Sequence, residues 1–498
     1  MNKNQIWTTK GFDAFRRGSF GNSGHNLYVS KAGILQRIFQ YDLNQDGYFD
    51  LVFANCQNHH ESAPSFVYTL AGDREELPGQ GALCGMVVDL YGTGFKDLVV
   101  TGYYDMAAPF ASTDIYFASK QGYSENRHIR IPTPYAEDCC HGDFKGQGKR
   151  ALAFAMPNYQ KVRLFYPTEL GLEWAQYVDF PVTAHLIAAC DLDGDGFDEL
   201  IVRQKDCTET TVYWGGKDGL CIERCTILPE LPPGEILQPE EEKALQSDME
   251  KKFEAPRLLQ SVIWKGRHCF TLSTGKKVFL FSASSDRKLE CVLELEVPMA
   301  LAVAIADING DGFPDLAAAC RVRNPQDKMK QCSFIYWGGP DGLDAKRRTV
   351  LDTRQACHVD ISNRKADGTC DVLFCQSSVD RTYSNQALLF RGEKQGIHPE
   401  PLRFHSEDSR RAFFVENPAM DKRIFLINHY SRSSVGFDKT FIYWGGPEGY
   451  SPECCLHVPS WCAVDALCAD FDDDGWAELL VCNNSENSLH LDPGHHVH

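Results

Sequence analysis

Residues 191–204, DLDGDGFDELIVRQ, join a tight acidic turn to an apolar segment long enough for one β-strand. The same pattern begins again at Asp42, Asp89, Asp143, Asp307 and Asp470, and a weaker copy with an insertion begins at Asp360. Successive copies start 47, 54, 48, 116, 53 and 110 residues apart. The two long gaps hold residues 262–284 and 413–434, which are apolar segments without the acidic turn. The chain therefore contains nine units with a period near 53 residues, in the range of propeller blades.

Each unit predicts four short strands. One apolar strand enters the acidic turn and a second leaves it, and a polar loop leads to a third strand with an aromatic ending. This ending is clearest in residues 211–220, 333–343 and 440–450, which read TVYWGGKDGL, SFIYWGGPDGL and TFIYWGGPEGY. We interpret the Tyr-Trp-Gly-Gly sequence as a packing and turn device, and we assign it no chemistry.

The units predict an all-β fold, a single β-propeller domain of four-stranded blades over residues 1–498. Residues 25–38, HNLYVSKAGILQRI, are typical of strands three and four, and we expect them to complete the C-terminal blade and close the ring. Nine units allow nine blades, or a ring of seven or eight blades with one or two copies displaced. An amphipathic pattern predicts a helical insertion at about 232–256, and residues 485–498 form a short tail.

Composition restricts the function. The net charge is −18, which argues against a nucleic-acid surface, and no apolar run is long enough to span a membrane. The first twenty residues lack the apolar core of a signal peptide. The chain has 20 cysteines but no C-x-x-C motif, and several close apolar strands, so we expect reduced structural thiols. These features favour a cytoplasmic protein, or an extracellular one if a leader has been removed; the oligomeric state stays open.

The acidic turns and the YWGG-type strands together resemble the FG-GAP, or VCBS-type, repeat family, from about residue 26 to residue 484. Members of this family are β-propellers whose calcium loops are similar to those of integrin α-chain head domains. The resemblance implies side-chain ligands at loop positions 1, 3, 5 and 9 and a backbone carbonyl at position 7. Calcium prefers several hard oxygen ligands, which alternating carboxylates around a glycine bend supply.

Four loops match this pattern and predict about four structural calcium sites. The implied ligands are Asp42, Asn44, Asp46, Tyr48 and Asp50; Asp191, Asp193, Asp195, Phe197 and Glu199; Asp307, Asn309, Asp311, Phe313 and Asp315; and Asp470, Asp472, Asp474, Trp476 and Glu478. The copies at Asp89, Asp143 and Asp360 lack the middle carboxylates or carry an insertion, so we expect them to be empty.

The loops between strands two and three should lie on the ring face opposite the acidic turns, where ligand groups from several blades can meet. We expect ligand-binding residues there, because arginine pairs with carboxylates or phosphates and aromatic rings stack on sugars. The candidates are Arg203, Lys205, Arg321, Arg323, Arg381, Tyr383 and Arg432. Candidate catalytic residues, if the protein is an enzyme, are His59, His60, Tyr103, Tyr104, His429 and Tyr430.

Three functions are open at this stage. We favour a binding module for carbohydrate, including acidic saccharides. The first alternative is a lyase or other carbohydrate-active enzyme acting on uronate-containing substrates, in which a histidine or tyrosine is the base and an arginine stabilises the enolate. The second alternative is a protein-interaction scaffold.

Overall fold

The computed structural model describes backbone and side chains over most of residues 64–483. The gaps are 69–73, 80–81, 103–110, 120–121, 169–170, 174, 205–208, 229–257, 327–329, 378–383, 416–422, 429–437, 447–448, 461, 470 and 472–477. Residues 25–29, 35–41, 50–55, 423–428 and 495–497 are described by their backbone only, as are Arg74, Glu125, Arg323 and Asp438. The helical insertion predicted at 232–256 and most of the C-terminal tail lie outside the described residues.

The described residues form an all-β fold built from four-stranded antiparallel sheets, as predicted. The first four sheets in chain order are blades 1 to 4. Blade 1 contains β6 (Ala82–Val88), β7 (Asp97–Gly102), β8 (Thr113–Tyr116) and β9 (His128–Ile131). Blade 2 contains β10 (Asp138–Gly142), β11 (Ala151–Met156), β12 (Lys161–Phe165) and β13 (Val178–Phe180). Blade 3 contains β14 (Ala184–Cys190), β15 (Glu199–Gln204), β16 (Thr210–Tyr213) and β17 (Cys225–Ile227). Blade 4 contains β18 (Leu259–Trp264), β19 (Arg267–Ser273), β20 (Lys277–Ala283) and β21 (Leu289–Glu296).

Blades 5 to 8 follow the same plan. Blade 5 contains β22 (Ala300–Ala306), β23 (Asp315–Arg323), β24 (Gln331–Tyr336) and β25 (Arg348–Thr353). Blade 6 contains β26 (Ala356–Ile361), β27 (Val372–Gln376), β28 (Ser384–Phe390) and β31 (Leu402–Glu407), with a small hairpin of β29 (Gly392–Glu393) and β30 (Gly396–Ile397). Blade 7 contains β32 (Ser409–Val415), β33 (Arg423–Asn428), β34 (Asp438–Gly446) and β35 (Gly449–Ser460). Blade 8 contains β36 (Ala463–Ala469), β37 (Glu478–Asn483), β4 (Ser65–Tyr68) and β5 (Arg74–Leu77).

Eight clusters of buried apolar side chains lie between successive blades, and the eighth joins blade 8 to blade 1. The cluster between blades 2 and 3, for example, packs Phe180 against Tyr213 edge to face, with ring centroids 5.2 Å apart. Each strand with a fully buried pattern, such as β11, lies between two such clusters, which explains its unbroken apolar sequence. The eight blades therefore form a closed ring, and the predicted propeller is confirmed.

N-terminal strands complete the C-terminal blade, but β4 and β5 do this rather than residues 25–38. The backbone of β4 pairs with β37, with Phe66 opposite Val481 and Tyr68 opposite Leu479. Both strands come from the third and fourth positions of the first unit, which are the positions that blade 8 lacks after β37. Residues 25–38 instead belong to a separate sheet of β1 (His25–Val29), β2 (Leu35–Tyr41), β3 (Asp50–Asn55) and β38 (His495–Val497). The first unit is thus the displaced copy in an eight-bladed ring.

The inner strands of seven blades share a starting geometry. A fully buried small residue marks the start of each strand, namely Ala82, Ala136, Ala184, Ala300, Ala356, Ser409 and Ala463. In six of the seven a β-bulge follows within three residues. In five of the seven blades, a residue with positive φ comes directly before the small residue: Tyr135, Met299, Gln355, Asp408 and Cys462. The bulge twists the strand and changes which side chains face the axis of the ring.

Two 3₁₀ turns, Glu125–Arg127 and Pro157–Tyr159, are the helical segments among the described residues. In this part of the chain there is no helix of the length and apolar character that a membrane span requires.

Candidate functional site

The acidic loop of blade 3 brings three carboxylates together. One ligand oxygen from each of Asp191, Asp193 and Asp195 lies within 4.8 Å of the other two. The loop folds this way because Asp191 accepts hydrogen bonds from the backbone N–H groups of Gly194 (2.8 Å) and Gly196 (3.0 Å). Both glycines have positive φ, which a side chain would strain. The sequence pattern therefore produces the compact acidic turn that was predicted.

The environment of Asp193 indicates whether this loop could bind a cation. Its side chain is 1% exposed, and its Oδ2 atom accepts no hydrogen bond. Burial, followed by the neighbouring charge of Asp195, raises the pKa of Asp193. The nearest positive group is the guanidinium of Arg287 from blade 4, with Nε 3.4 Å from Asp193 and Nη2 2.9 Å from Asp195. A buried carboxylate oxygen without a donor, beside two further carboxylates, fits a hard divalent cation.

The acidic loop of blade 5 repeats this geometry. Asp307 accepts the backbone N–H groups of Asp311 (2.9 Å) and Gly312 (3.0 Å), and Asn309 Oδ1 accepts the N–H of Asp311. A neighbouring blade again supplies a positive charge, because Arg364 of blade 6 lies 2.7 Å from Asp307. Both of the fully described loops that match the calcium pattern therefore face an arginine across a blade boundary.

The residue at position nine of the blade 3 and blade 5 loops accepts hydrogen bonds from two backbone N–H groups. Asp315 Oδ2 accepts the backbone N–H of Ile308 (2.8 Å), and its Oδ1 accepts the N–H of Gly338 (2.7 Å). Glu199 makes the equivalent pair of bonds to Leu192 and Gly215. Position nine thus fastens the loop to the end of the third strand, and both of its oxygens already accept hydrogen bonds.

The same fastening occurs in the loop that lacks middle carboxylates in blade 1. Asp97 accepts the N–H groups of Leu90 (3.2 Å) and Ala118 (3.0 Å), and only 5% of its surface is exposed. Burial raises the pKa of Asp97 to about 6, and it raises the pKa of Glu199 to about 8. A position-nine carboxylate is therefore a structural element, present whether or not its loop could hold a metal.

This arrangement explains the glycine pair after the third strand. A Cβ atom on Gly338 would lie 2.3 Å from the carbonyl oxygen of Pro314, and one on Gly215 would lie 2.5 Å from that of Asp198. Without side chains, the backbone approaches the loop closely enough to donate to position nine. The aromatic residue before the glycine pair contacts the fourth strand of the blade: the indole N–H of Trp337 donates to Thr349 Oγ1 of β25 (2.9 Å). The interpretation of YWGG as a packing and turn device agrees with these contacts.

The weak copy in blade 6 has no insertion, contrary to the sequence interpretation. Its nine-residue loop runs from Asn363 to Asp371, and Asp360 instead belongs to the inner strand β26, where it accepts the N–H of Phe414 (2.8 Å). Lys365 occupies loop position three, and its Nζ atom lies 2.6 Å from Asp371 and 3.1 Å from the Gly392 carbonyl. An ammonium group therefore stands where a metal-binding loop would have a carboxylate. This contact supports the prediction that the loop is empty.

Of the remaining loops, those at Asp89 and Asp143 are fully described and those at Asp42 and Asp470 are not. The loops at Asp89 and Asp143 close through backbone N–H donors, from Thr93 and Gly94 and from Gln147 and Gly148 respectively. The implied ligands Asp42, Asn44, Asp46, Tyr48, Asp470, Asp472, Asp474 and Trp476 lie outside the described residues, and Asp50 is described by its backbone only.

The axis of the ring carries a second charged group of residues. Arg411 of β32 lies 3.1 Å from Asp465 of β36, and 43% of the Arg411 side chain is exposed. Asp465 and Asp138 each accept a backbone N–H from the inner strand of the next blade, those of Gly85 (3.3 Å) and Ile187 (2.9 Å). Burial within the ring raises the pKa of Asp138 to about 7. We call Asp138, Arg411 and Asp465 the axial charge group.

Sequence reasoning missed the axial charge group, although a signal for it exists. The buried small residue that begins an inner strand precedes the first position of its acidic loop by seven residues, as Ala136 precedes Asp143 and Ala463 precedes Asp470. The position two residues after the small residue is charged in three of the seven blades, where it is Asp138, Arg411 or Asp465. A sequence alignment of the nine units on the inner strand would have shown charged residues in an apolar position.

Two of the predicted ligand-binding arginines are fully described. Arg203 is 2% exposed and donates to the Ser273 carbonyl (2.9 Å), so it joins blades 3 and 4. Arg321 lies near the end of β23 that is distant from the acidic loop, and it donates to Ser377 Oγ (3.2 Å) of blade 6. The Nε atom of Arg321 is buried and has no hydrogen-bond partner among the residues that the structure describes. The other candidates, Lys205, Arg381, Tyr383, Arg432, His59, His60, Tyr103, Tyr104, His429 and Tyr430, lie outside the described residues, as does the Arg323 side chain.

The fold defines this chain as a β-propeller. No family model matches the sequence, and no curated protein matches it. Solved structures similar to it include a Lactobacillus plantarum protein, at 8% identity over 83% of this chain and 92% of that one, with a TM-score of 0.35. BBS1N in complex with ARL6DN is 10% identical over 70% of this chain and 93% of its own, with a TM-score of 0.40. The WD40 domain of SCAP from fission yeast is 11% identical over 82% and 96%, also at 0.40.

Proposed function

We propose that this chain is a calcium-stabilised propeller of the FG-GAP type that acts as a binding module for an acidic ligand, an acidic saccharide in particular. The ligand lies on the ring face opposite the acidic loops. The observation that carries the proposal is Arg321, which reaches that end of blade 5 with a buried Nε atom that no group in the described structure accepts from. An anionic oxygen is the partner that such a donor prefers.

The distribution of charge supports an acidic ligand. The whole chain has a net charge of −18, yet three arginines lie at the strand ends that are distant from the acidic loops. Arg321 is near the end of β23, and Arg410 and Arg411 are at the start of β32. Arg410 and Arg411 pair with Asp408 and Asp465, at 3.1 Å in both cases. Among the described residues, the hydrogen-bond partner of the Arg321 side chain is the Ser377 hydroxyl, and no carboxylate pairs with it there. The described part of this end therefore carries one arginine without an acidic partner.

The calcium part of the proposal rests on the blade 3 loop. Asp191, Asp193 and Asp195 would hold the ion, and the buried Oδ2 atom of Asp193 would be its most enclosed ligand. A bound ion would supply the positive charge that these three carboxylates lack and would fix the turn between the first two strands of the blade. Arg287 contributes part of that charge at present, so it should compete with the ion.

Calorimetric titration with calcium tests this part. Asp193→Ala should abolish binding at this loop, whereas Arg287→Ala should tighten it because a competing cation is removed. Lys277→Ala is a suitable control, since Lys277 pairs with Glu294 at the start of β20, whereas Arg287 follows the end of that strand, and the affinity should be unchanged. Equal calcium binding by Asp193→Ala and the unmodified protein would contradict the assignment.

Ligand binding is tested with three probes at fixed calcium: a uronate-containing oligosaccharide, a neutral oligosaccharide of equal length, and an acidic peptide. We expect the uronate-containing probe to bind, to bind less tightly as salt is added, and to lose most of its affinity in Arg321→Ala. Arg267→Ala, which removes a half-exposed arginine of β19 in blade 4, serves as the control for the loss of one positive charge. Binding of the peptide alone would favour the protein-interaction scaffold, and formation of an unsaturated sugar product would favour the lyase.

A further inference from the structure

Two cysteine thiols of blade 6 are in contact across its inner strands. The Sγ atoms of Cys357, on β26, and Cys375, on β27, lie 3.4 Å apart. Cys375 is fully buried, and Cys357 is half-buried. Neighbouring antiparallel strands place Cα atoms about 4.5–5.5 Å apart, which is within the range that a disulfide spans. A modest approach of the two sulfur atoms would therefore suffice to bond them.

A β-bulge is the reason that these thiols meet. Ala356 pairs with Gln376 and His358 pairs with Cys375, so that Cys357 is the extra residue of β26 with no partner opposite it. In a regular strand, adjacent side chains alternate between the two faces of the sheet. The bulge breaks that alternation and turns Cys357 towards Cys375. The bulge belongs to the repeated start of the inner strands, and in blade 6 it places Cys357 against a cysteine of the neighbouring strand in the same blade.

The surroundings of Cys357 favour its thiolate. The hydrogen bond from Cys375 is the largest influence and lowers the pKa of Cys357, and the positive charges of Arg321 and Arg410 lower it further against the opposing effect of burial. As a neutral thiol, Cys357 instead donates to the Ser409 carbonyl (3.1 Å). Thiolates are the nucleophilic form of cysteine, and nearby arginines promote reactivity.

A second thiol pair provides a built-in comparison. The Sγ atoms of Cys84, on β6, and Cys139, on β10, lie 3.5 Å apart across the boundary between blades 1 and 2. The hydrogen bond with Cys84, and then burial, raise the pKa of Cys139 well above its usual range, and no arginine contributes to it. The two pairs are thus equally close but differ in electrostatic environment.

We propose that Cys357 and Cys375 form an oxidation site that reacts with hydrogen peroxide to give a reversible disulfide. The Cys357 thiolate attacks one peroxide oxygen, the O–O bond breaks, and hydroxide leaves to yield a sulfenic acid. The Cys375 sulfur then attacks the Cys357 sulfur, the S–O bond breaks, and the departing hydroxide takes the Cys375 proton as water. The hydroxide from the first step takes up the proton that Cys357 released on forming its thiolate, so two thiols lose two electrons in total and one peroxide is reduced to two waters.

Mass spectrometry of the full chain tests this proposal directly. The native protein is treated with peroxide, its free thiols are alkylated, and it is digested without reduction. We expect a linked pair of peptides containing Cys357 and Cys375 that dithiothreitol separates. Cys84 and Cys139 should be recovered in alkylated form, with an oxidation rate roughly tenfold or more below that of Cys357. In Cys375→Ser, a dimedone adduct should accumulate on Cys357, because the second step is blocked.

Two controls keep the test decisive. Cys84→Ser should leave the Cys357–Cys375 link unchanged, and the exposed Cys221 shows how strongly the peroxide treatment oxidises a surface thiol. The proposal is overturned if Cys357 is still free when Cys221 is oxidised. It is also overturned if both thiol pairs link at the same rate, because proximity alone would then explain the result. The measurement on the unmodified protein decides the matter even where a variant fails to fold.

Discussion

The Nε atom of Arg411 lies 3.1 Å from Oδ1 of Asp465, and this ion pair joins the inner strands of blades 7 and 8 at the axis of the ring. Asp465 in turn accepts the backbone N–H of Gly85 in blade 1. The pair therefore links the blade that closes the ring to both of its neighbours. Its energetic role can be measured separately from that of the apolar clusters.

Arg411→Ala should destabilise the fold. It leaves Asp465, which is 10% exposed, without its positive partner. Because 43% of the Arg411 side chain is exposed, solvent screens the pair, and we expect a loss of about 1–2 kcal/mol rather than the 3–5 kcal/mol typical of a fully buried pair. Urea unfolding measures the loss. The double variant Arg411→Ala with Asp465→Ala should recover part of it, and a fully additive result would show that the two side chains do not interact.

Asp138 should make the stability depend on pH. Its pKa is raised by burial from an ordinary value of 3.8 to about 7, so the folded chain binds a proton that the unfolded chain has already released in this interval. The contribution of Asp138 to stability is therefore largest in acid and falls as the pH rises from about 4 to about 7. Asp138→Asn should reduce this fall. Thermal unfolding of both proteins across that range checks it, and parallel curves would refute the role of Asp138.

Position-nine carboxylates should stabilise the fold without calcium. Asp97→Ala removes the acceptor of two buried backbone N–H groups in a loop that lacks the middle carboxylates, and each unmet donor costs about 1–3 kcal/mol. The loss should be the same with calcium and with a chelator. Asp193→Ala is the matched comparison, since its effect should be present with calcium and should vanish in chelator. If both variants respond to calcium alike, the two kinds of carboxylate have not been distinguished.

The first glycine after the third strand should be intolerant of a side chain. In Gly338→Ala the new Cβ would meet the Pro314 carbonyl at 2.3 Å, which must displace the loop at a cost of about 1–3 kcal/mol. Gly446 of blade 7 offers a control, because a Cβ there would have open space around it. Gly446→Ala should leave the unfolding midpoint nearly unchanged. Equal effects of the two substitutions in chemical unfolding would argue against the steric explanation.

The period of the repeat predicted the propeller because the four strands of each unit are bounded by residues close to them in sequence, such as the acidic turn and the glycine pair. Sequence could not choose between eight and nine blades, since that choice depends on which N-terminal strands pair with β37, a contact between distant parts of the chain. Similarly, the carboxylates of Asp193 and Asp315 occupy the same motif in sequence. Only the positions of backbone donors show that one has an unpartnered oxygen and the other has none.

Blade 8 combines strands from both ends of the sequence, and this affects the chain while it is being synthesised. Asn483 Nδ2 donates to the carbonyl of Pro64, a bond between residues 419 positions apart in the chain. A ribosome adds about 5–20 residues per second, so about 20–80 s separate the synthesis of these two groups. During that time β4 and β5 have no β37 to pair with, and the apolar side chain of Phe66 lacks the residues of blades 7 and 8 that surround it in the folded chain. A nascent chain therefore exposes an unpaired strand edge, which is a binding site for a chaperone, until Asn483 has left the ribosome.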